Sequence, residues 1–191
     1  MIQNLYSGLY MDVAGGVAAN GTNVQLWGAN GAGSFNTWNI KSVGNGYYEI
    51  YSCVGNGSFM LDLDYGKTDD GTNIQIYGNT NSDAQKFKFV SAGNGYYNIA
   101  TKATKDQSNI EAYARGTTNG TNVCQWSAGS GNHQQWKLIK VEEDSSSESD
   151  SSNVESSNII YCSPNGGGNG QSKNSPTDVA TAISSVKAGG D

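Results

Sequence analysis

The sequence predicts an all-β protein whose main domain is built from three copies of one unit of about 49 residues. An eight-residue phrase, which first reads Asn-Gly-Thr-Asn-Val-Gln-Leu-Trp, begins at Asn20, Asp70 and Asn119. A glycine turn followed by alternating apolar and polar residues is typical of a hairpin strand. A large aromatic residue recurs every 49 residues, at Trp38, Phe87 and Trp136. Three equivalent units explain both repeats.

The number of units selects the architecture. A propeller needs at least about four blades, and the strands of each unit are too many and too short for an open solenoid. A closed arrangement of three units, the β-trefoil, remains. We expect the units to span residues 2–43, 44–92 and 93–141, and the recurring aromatics to meet in the core because large rings bury well.

Composition supports this fold class. The 191 residues leave room for one domain of about 140 residues and a remainder, and 26 glycines against two prolines fit an all-β chain with many turns. No stretch approaches the roughly 18 apolar residues of a membrane span. The first residues lack both the basic start and the apolar segment of a signal peptide. We therefore expect no membrane partner.

Charge is unevenly distributed along the chain. Residues 1–141 contain nine acidic and nine basic side chains, so the net charge of −6 belongs to the remainder. Binding to phosphates requires clustered Lys and Arg. A neutral domain without a basic stripe makes nucleic acid an unexpected partner.

The cysteines do not suggest a metal or catalytic site. Cys53, Cys124 and Cys162 form no C-x-x-C pair, and His133 is the only histidine. A zinc site or a Cys-His catalytic pair is therefore disfavoured. Three cysteines leave at least one unpaired within the chain, and the sequence does not decide whether the others form a disulfide.

Each unit also repeats an acid and an aromatic residue at fixed spacing. An acidic residue precedes a mid-strand position by 13 residues in the pairs Asp12 and Gln25, Asp62 and Gln75, Glu111 and Cys124. An aromatic residue follows two positions later, at Trp27, Tyr77 and Trp126. A single acid of this kind could be a turn cap and a single ring could be core. The threefold recurrence instead indicates a repeated binding site.

The pairing suits a saccharide that is bound without being transformed. A carboxylate accepts hydrogen bonds from hydroxyl groups, and charge-assisted hydrogen bonds are the stronger kind. An aromatic ring can stack on the apolar C–H face of a pyranose. Asn, Gln or His side chains beside them can bind further hydroxyls.

These residues resemble a ricin B-type lectin domain, the β-trefoil of family 13 carbohydrate-binding modules. The matching segments are Met11-Asp12-Val13, Val24-Gln25-Leu26-Trp27, Asn36-Thr37-Trp38, Gln85-Lys86-Phe87 and Gln134-Gln135-Trp136, the last three in place of the family's Gln-x-Trp. The resemblance covers residues 2–141 and implies three shallow sugar pockets. The implied pockets are Asp12, Gln25, Trp27 and Asn36; Asp62, Gln75, Tyr77 and Gln85; and Glu111, Trp126, His133 and Gln134.

This chain departs from the family pattern at several positions. The family's Asn before Gln-x-Trp is replaced by Phe35, Ala84 and His133. Unit three has Glu111 for Asp and Cys124 for Gln, so we rank the second pocket first, the first close behind and the third last. The cysteines of the family's intra-unit disulfides are replaced by Tyr10 and Ala29 in unit one. We expect stability to come from the core.

The chain changes character after Val141. Residues 142–158 hold six acids, no base and almost nothing apolar, which predicts a disordered, extended linker. Beyond it we expect a strand from Ile159, a glycine-rich loop, and a helix with Ser175 as N-cap, Pro176 as first residue and Gly189 after its end. Residues 159–191 resemble the start of parallel β-helix pectate lyases, whose calcium ligands and catalytic base would lie beyond Asp191.

The sequence thus predicts a monomeric, non-catalytic carbohydrate-binding module in a secreted, extracellular enzyme that degrades plant cell-wall polysaccharide. The bound chain could be galactose-containing, xylan or pectic, and the module itself needs no cofactor. One alternative is a protein-binding trefoil without sugar affinity. Another is a glycosidase that uses Asp62 and Asp64, or Asp69 and Asp70, as acid and base.

Overall fold

The computed structural model describes residues 1–29, 34–141, 167–172 and 175–177. Residues 1–139 form one compact unit and residues 140–191 a second. The first contains twelve strands: β1 (Ile2–Asn4), β2 (Tyr10–Val13), β3 (Thr22–Trp27), β4 (Trp38–Gly44), β5 (Tyr47–Ser52), β6 (Phe59–Leu63), β7 (Ile74–Gly78), β8 (Phe87–Gly93), β9 (Tyr96–Thr101), β10 (Ser108–Ala112), β11 (Val123–Ser127) and β12 (Gln135–Leu138).

The only helices among the described residues are seven 3₁₀ turns, three residues each. They span Ala14–Gly16, Ser34–Asn36, Asp64–Gly66, Asp83–Gln85, Lys102–Thr104, Tyr113–Arg115 and Asn132–Gln134. In the described part of the chain, no helix is long and apolar enough to cross a membrane.

The strands form the predicted β-trefoil. A barrel runs through antiparallel pairs in the order β4, β5, β8, β9, β12 and β1, and each unit adds a hairpin, β2–β3, β6–β7 or β10–β11. The hairpins also pair with one another: β3 joins β7, and single bridges join Gln25 to Asn122 and Asn73 to Cys124. The three hairpins therefore meet around one axis.

The recurring aromatics lie in the core, as predicted. Phe87 and Trp136 are 0% exposed and Trp38 is 7% exposed. Both indole N–H groups are satisfied, because Trp38 Nε1 donates to Met11 O and Trp136 Nε1 to Ile110 O, each at 3.0 Å. In the third hairpin a polar residue, Gln125, lies in the otherwise apolar core. It is fully buried and accepts a hydrogen bond from Thr101 Oγ1 at 2.7 Å.

An asparagine ring, formed by Asn23, Asn73 and Asn122, joins the three hairpins. Each side-chain amide donates to the next side-chain oxygen, from Asn23 to Asn122, from Asn122 to Asn73 and from Asn73 to Asn23, at 2.9 Å each. Every member therefore gives and receives one hydrogen bond, so the ring satisfies groups that apolar neighbours could not.

In the second unit, strand β13 (Gly167–Ser172) pairs antiparallel with strand β14 (Ser175–Thr177). The predicted glycine-rich loop and the helix start at Ser175 and Pro176 are therefore wrong. Extended pairing wins locally, because Pro fixes φ at a value that a short edge strand also accepts. The predicted linker 142–158, the strand from Ile159 and the helix beyond Thr177 lie outside the described residues.

Candidate functional site

Each hairpin places its acid and its aromatic ring on one face. Asp12 lies directly across from Gln25, Asp62 from Gln75 and Glu111 from Cys124. The aromatic residue is two positions farther along the second strand, and residues two apart point to the same face. Such diagonal neighbours lie about 7–8 Å apart, which is close enough for one sugar ring to touch both side chains.

The acids are buried and held by amides. Asp12 is 4% exposed and receives a hydrogen bond from Gln25 Nε2 at 3.3 Å. Asp62 is 5% exposed and receives one from Gln75 Nε2 at 3.0 Å. Burial raises the pKa of both carboxyls, and these hydrogen bonds oppose the rise. The amides therefore fix the acids as oriented acceptors at the base of each site.

Unit three orients its acid differently. Cys124 cannot reach across as a Gln does, so Glu111 is held from the side by Gln134 Nε2 at 2.8 Å and His133 Nε2 at 3.3 Å, both on its Oε2. Burial, with the nearby Glu111 charge, raises the pKa of the Cys124 thiol to about 12. This thiol is therefore neutral at neutral pH and serves as packing.

The aromatic rings of all three sites remain accessible. Tyr77 is 36% exposed, Trp126 is 38% exposed and Trp27 is half-buried. In unit two the acid and ring open into a cleft of about 730 Å³, which we call cleft two. In unit three they open into a cleft of about 640 Å³, called cleft three, which His133 and Gln134 also line.

Each site is completed by the turn of another unit. The loop that follows each ring is held by a side-chain oxygen from a neighbouring unit: Asn119 binds Gly28 N at 2.8 Å, Asn20 binds Gly78 N at 2.8 Å, and Asp70 binds Ser127 N at 2.6 Å. Asn20 and Gly21 also line cleft two. The sequence repeat contained these residues, but their role appears only once the units are packed.

Gln85 and Gln134, which the resemblance assigns to the sugar pockets, bond to the loops of their sites. Gln85 is 0% exposed; its Nε2 donates to Gly78 O and its Oε1 accepts from Thr80 N, each at 2.8 Å. Gln134 is 2% exposed and makes the equivalent bonds to Ser127 O at 3.1 Å and Gly129 N at 2.8 Å. Both side chains tie the site loop to the domain, so they position the site from beneath.

Unit one has Asn36 at the position of these two glutamines. Asn36 is 2% exposed, and its Oδ1 has no hydrogen-bond partner among the described residues. Its side chain is one methylene shorter than that of Gln. Phe35, 44% exposed, lies over Gly16, where an added Cβ would collide with the phenyl ring. The first site therefore has an apolar lip where the family pattern has an amide.

Two exposed aromatics that the sequence reading missed border the other sites. Tyr65 is 88% exposed and lines cleft two, and Tyr113 is 49% exposed and lines cleft three. The ring centroids of Tyr113 and Trp126 are 6.4 Å apart. The equivalent positions of the other units do not hold tyrosine, so the sequence repeat did not indicate these two residues.

The described residues contain no cluster of three or more His, Cys, Asp or Glu that could hold a metal ion. Cys53 and Cys124 are free thiols, and Cys162 lies outside the described residues. The sites consist of carboxylates, amides and rings, groups that can bind hydroxyls and apolar faces.

Solved structures share this fold. A designed threefold-symmetric protein, ThreeFoil, is 28% identical with a TM-score of 0.69, over 73% of this chain and 96% of that one. An exo-β-1,3-galactanase from Clostridium thermocellum is 28% identical with a TM-score of 0.68, over 73% of this chain but 29% of that one. A Macrolepiota procera ricin B-like lectin, solved with lactose, is 22% identical with a TM-score of 0.57, over 71% and 90%.

No curated protein matches the sequence. A sequence model described as ricin-type beta-trefoil lectin domain-like matches three overlapping stretches, residues 1–77, 36–126 and 83–151. These stretches include all three hairpins and their acid–ring pairs. The chain therefore belongs to the ricin-type β-trefoil lectin domain-like family.

Proposed function

We propose that the β-trefoil is a non-catalytic carbohydrate-binding module. The observation that carries the proposal is the buried acid and accessible ring on one face of each hairpin. Each acid is oriented by an amide before any ligand arrives, so it accepts hydroxyl hydrogen bonds at little cost in reorganisation. The ring supplies an apolar surface on which the C–H face of a pyranose can stack.

The relatives support carbohydrate binding of this general kind. The Macrolepiota procera lectin was solved with lactose, and an earthworm R-type lectin half, 18% identical with a TM-score of 0.53, was solved with GalNAc. At these identities the likeness is one of fold, and the ligands of those proteins are not assigned to this chain. Membership of a lectin family points to saccharide as the ligand class.

The module acts, in this proposal, as a family 13 type targeting unit for an extracellular enzyme that degrades plant cell-wall polysaccharide. The galactanase supports such an arrangement, because the matched trefoil is 29% of its chain. Residues 159–191 resemble a pectate lyase start, which makes a lyase our choice of enzyme. Up to three weak sites on one monomer would hold the enzyme near its polymer through raised effective concentration.

The arrangement disfavours catalysis within the trefoil. A glycosidase needs two carboxyl groups flanking one bond, whereas only one acid recurs per unit. In unit two the carboxylate of Asp64 pairs with Lys67 at 3.5 Å, and Asp62 is held by Gln75. Neither acid has a recurring partner that would serve as its catalytic complement.

Affinity electrophoresis of the whole chain through gels containing neutral and acidic plant polysaccharides tests the proposal. We expect retardation by at least one polysaccharide, reduced stepwise by Asp12→Ala, Asp62→Ala and Glu111→Ala. The control is Asp69→Ala, which removes an exposed turn acid that lines neither cleft. Equal retardation of the control and the three variants, or none by any polysaccharide, would refute the proposal.

A further inference from the structure

The 3₁₀ turn after each acid contains two consecutive residues in the left-handed region. They are Gly15 (φ 63°) and Gly16 (φ 63°) in unit one, Tyr65 (φ 51°) and Gly66 (φ 62°) in unit two, and Ala114 (φ 51°) and Arg115 (φ 58°) in unit three. Glycine adopts this conformation without strain, whereas other residues pay about 1–2 kcal/mol. The fold requires this backbone shape, and glycine provides it at both positions in unit one and at the second position in unit two.

Arg115 stands where units one and two have glycine, although the strain disfavours any side chain there. Its side chain is exposed and lines cleft three. None of the ion pairs among described residues includes Arg115. In the described part of the chain, its guanidinium therefore forms no internal salt bridge that would compensate for the strain. A strained, unpaired cation at the lip of a cleft is a reason to look for its partner in a ligand.

The charges lining the two clefts differ. Of the described residues, cleft two is lined by the carboxylates of Asp62, Asp64 and Asp83 and by no Lys or Arg. Lys67 and Lys102, the cations beside it, pair with Asp64 at 3.5 Å and Asp83 at 2.9 Å, and Asp62 at the base has no cationic partner among the described residues. An anionic sugar would meet that carboxylate directly, so cleft two suits neutral saccharides.

Cleft three has one lining acid and one lining arginine. Glu111 Oε2 is already engaged by Gln134 and His133. Asp70, beside the loop of this cleft, is held by Ser127, whose N–H and Oγ lie 2.6 and 2.9 Å from Asp70 Oδ1. Oε1 of Glu111 therefore remains to accept from hydroxyls, and Arg115, which pairs with none of these acids, has its donors free for a planar anion.

We propose that cleft three binds a saccharide that carries a carboxylate, a uronic acid residue, through Arg115. Guanidinium and carboxylate match as a two-point, charge-assisted pair. Tyr113 and Trp126 contact the pyranose, while Glu111 accepts from its hydroxyls away from the carboxylate. This inference rests on the proposed carbohydrate-binding function and adds a ligand class that differs between two sites of one domain.

The test uses the whole chain with only one cleft left active. Asp12→Ala with Asp62→Ala leaves cleft three, and Asp12→Ala with Glu111→Ala leaves cleft two. Calorimetry measures binding of oligogalacturonate and of the same oligosaccharide after carboxyl reduction to galactose. We expect the cleft-three protein to prefer the acidic form by about tenfold, with a preference that falls as salt rises. We expect the cleft-two protein to prefer the reduced form.

Arg115→Gly is the decisive variant, because it restores the glycine of units one and two and so does not endanger folding. In the cleft-three protein it should abolish the preference for the acidic form. Arg115→Lys should retain part of the preference. Gly66→Arg should raise acidic binding by cleft two, since an added Cβ there meets Ala84 at an ordinary 3.6 Å.

The outcomes separate the two proposals. Equal affinity of the cleft-three protein for both oligosaccharides, or a preference that survives Arg115→Gly, overturns the uronate inference and leaves carbohydrate binding standing. If neither protein nor the unmutated chain binds any saccharide, both proposals fail together.

Discussion

At the scale of single residues, the acids of the first two sites combine burial with a purely accepting role. Asp12 and Asp62 are almost fully buried, and burial raises the pKa of both carboxyls. A raised pKa means that the folded chain disfavours the charged form, which is the form that accepts hydroxyl hydrogen bonds best. Folding and saccharide binding therefore favour opposite protonation states of these two acids.

Asp62→Asn tests this conflict. An acid whose pKa is raised by folding contributes stability below its unfolded pKa of about 3.9 and loses that contribution as pH rises through the folded pKa. The variant should therefore unfold at higher urea concentration than the unmutated chain at pH 7, and this advantage should vanish near pH 3. Its affinity for saccharide should fall about tenfold or more, because a neutral amide accepts more weakly.

The control for this comparison is Asp69→Asn, an exposed acid of the turn before strand β7. Its urea midpoint should follow that of the unmutated chain at both pH values. A lower midpoint for Asp62→Asn than for the unmutated chain at pH 7 would contradict the account, because it would show that the charged carboxylate stabilises the fold.

Tyr65 is a second residue whose backbone conformation destabilises the folded state. It is 88% exposed at φ 51°, where unit one has Gly15. Tyr65→Gly should leave the melting temperature unchanged or raise it slightly, because released backbone strain offsets the entropy of the added glycine. Saccharide affinity of cleft two should fall several-fold through the lost ring contact. Calorimetry and thermal unfolding measure both effects.

Ala114→Gly relieves the same strain in unit three and serves as the matched control. It should change stability in the same direction and leave saccharide affinity intact, because Ala114 offers no ring. A loss of stability on Tyr65→Gly alone would assign Tyr65 a structural role instead.

At the scale of elements, each site is assembled from a hairpin, a loop after the ring and a buried amide that ties them. Gln85 and Gln134 make this tie in units two and three, and Asn36 stands at their position in unit one with its Oδ1 unpaired among the described residues. The Gln-x-Trp motif thus couples the core aromatic to the loop of the site. A site loop held from beneath keeps its shape before the ligand arrives.

Gln85→Asn tests the tie by giving unit two the shorter amide of unit one. It should cost about 1–3 kcal/mol, because Thr80 N and Gly78 O lose their buried partner. Affinity at cleft two should fall although Gln85 does not line the cleft. Urea unfolding and calorimetry with a saccharide follow both changes. The exposed Asn79→Ala in the same loop is the control, and equal effects of the two variants would contradict the tie.

At the scale of the whole domain, the asparagine ring joins the three symmetry-related hairpins by side-chain hydrogen bonds. The three hairpins come from distant parts of the chain, so the ring reports their correct assembly. It also sets the distance between the sites that the hairpins carry.

Single variants Asn23→Ala, Asn73→Ala and Asn122→Ala should each cost about 1–2 kcal/mol, since each leaves a donor and an acceptor unpaired. Any double variant should cost less than the sum of its parts, because the ring is already open. Urea unfolding measures these costs. Strictly additive costs would show three independent hydrogen bonds rather than one ring.

The period of the sequence was enough to predict the trefoil, its aromatic core and the shared face of acid and ring. Those features depend on residues at equal spacing, Trp38, Phe87 and Trp136 among them. Equally spaced residues occupy equivalent positions in the three folded units. Tyr65 and Arg115 could not be predicted, because they break the period. The burial of Gln85 and the use of Asn20 at cleft two arise only when neighbouring units pack.

The misassigned helix start at Ser175 has a different cause. Ser followed by Pro favours a helix N-terminus locally, but the same pair fits a short edge strand, and Ser175–Thr177 pairs with Gly167–Ser172. The local conformational preference of Ser175 and Pro176 does not indicate that a glycine-rich strand pairs with them. Nothing in the period of the trefoil extends to this part of the chain.

The most direct test of the central claim, that accessible rings beside buried acids bind saccharide, uses the four tryptophans of the unmutated chain. Trp27 and Trp126 belong to the sites, whereas Trp38 and Trp136 are buried and bonded to backbone carbonyls. Amide correlation spectra record the four indole N–H signals during titration with oligosaccharides. We expect the indole signals of Trp27 and Trp126 and the backbone amide signal of Tyr77 to shift with saturation, while the indole signals of Trp38 and Trp136 stay in place. Unmoved signals of Trp27, Trp126 and Tyr77 across neutral and acidic oligosaccharides would contradict the claim.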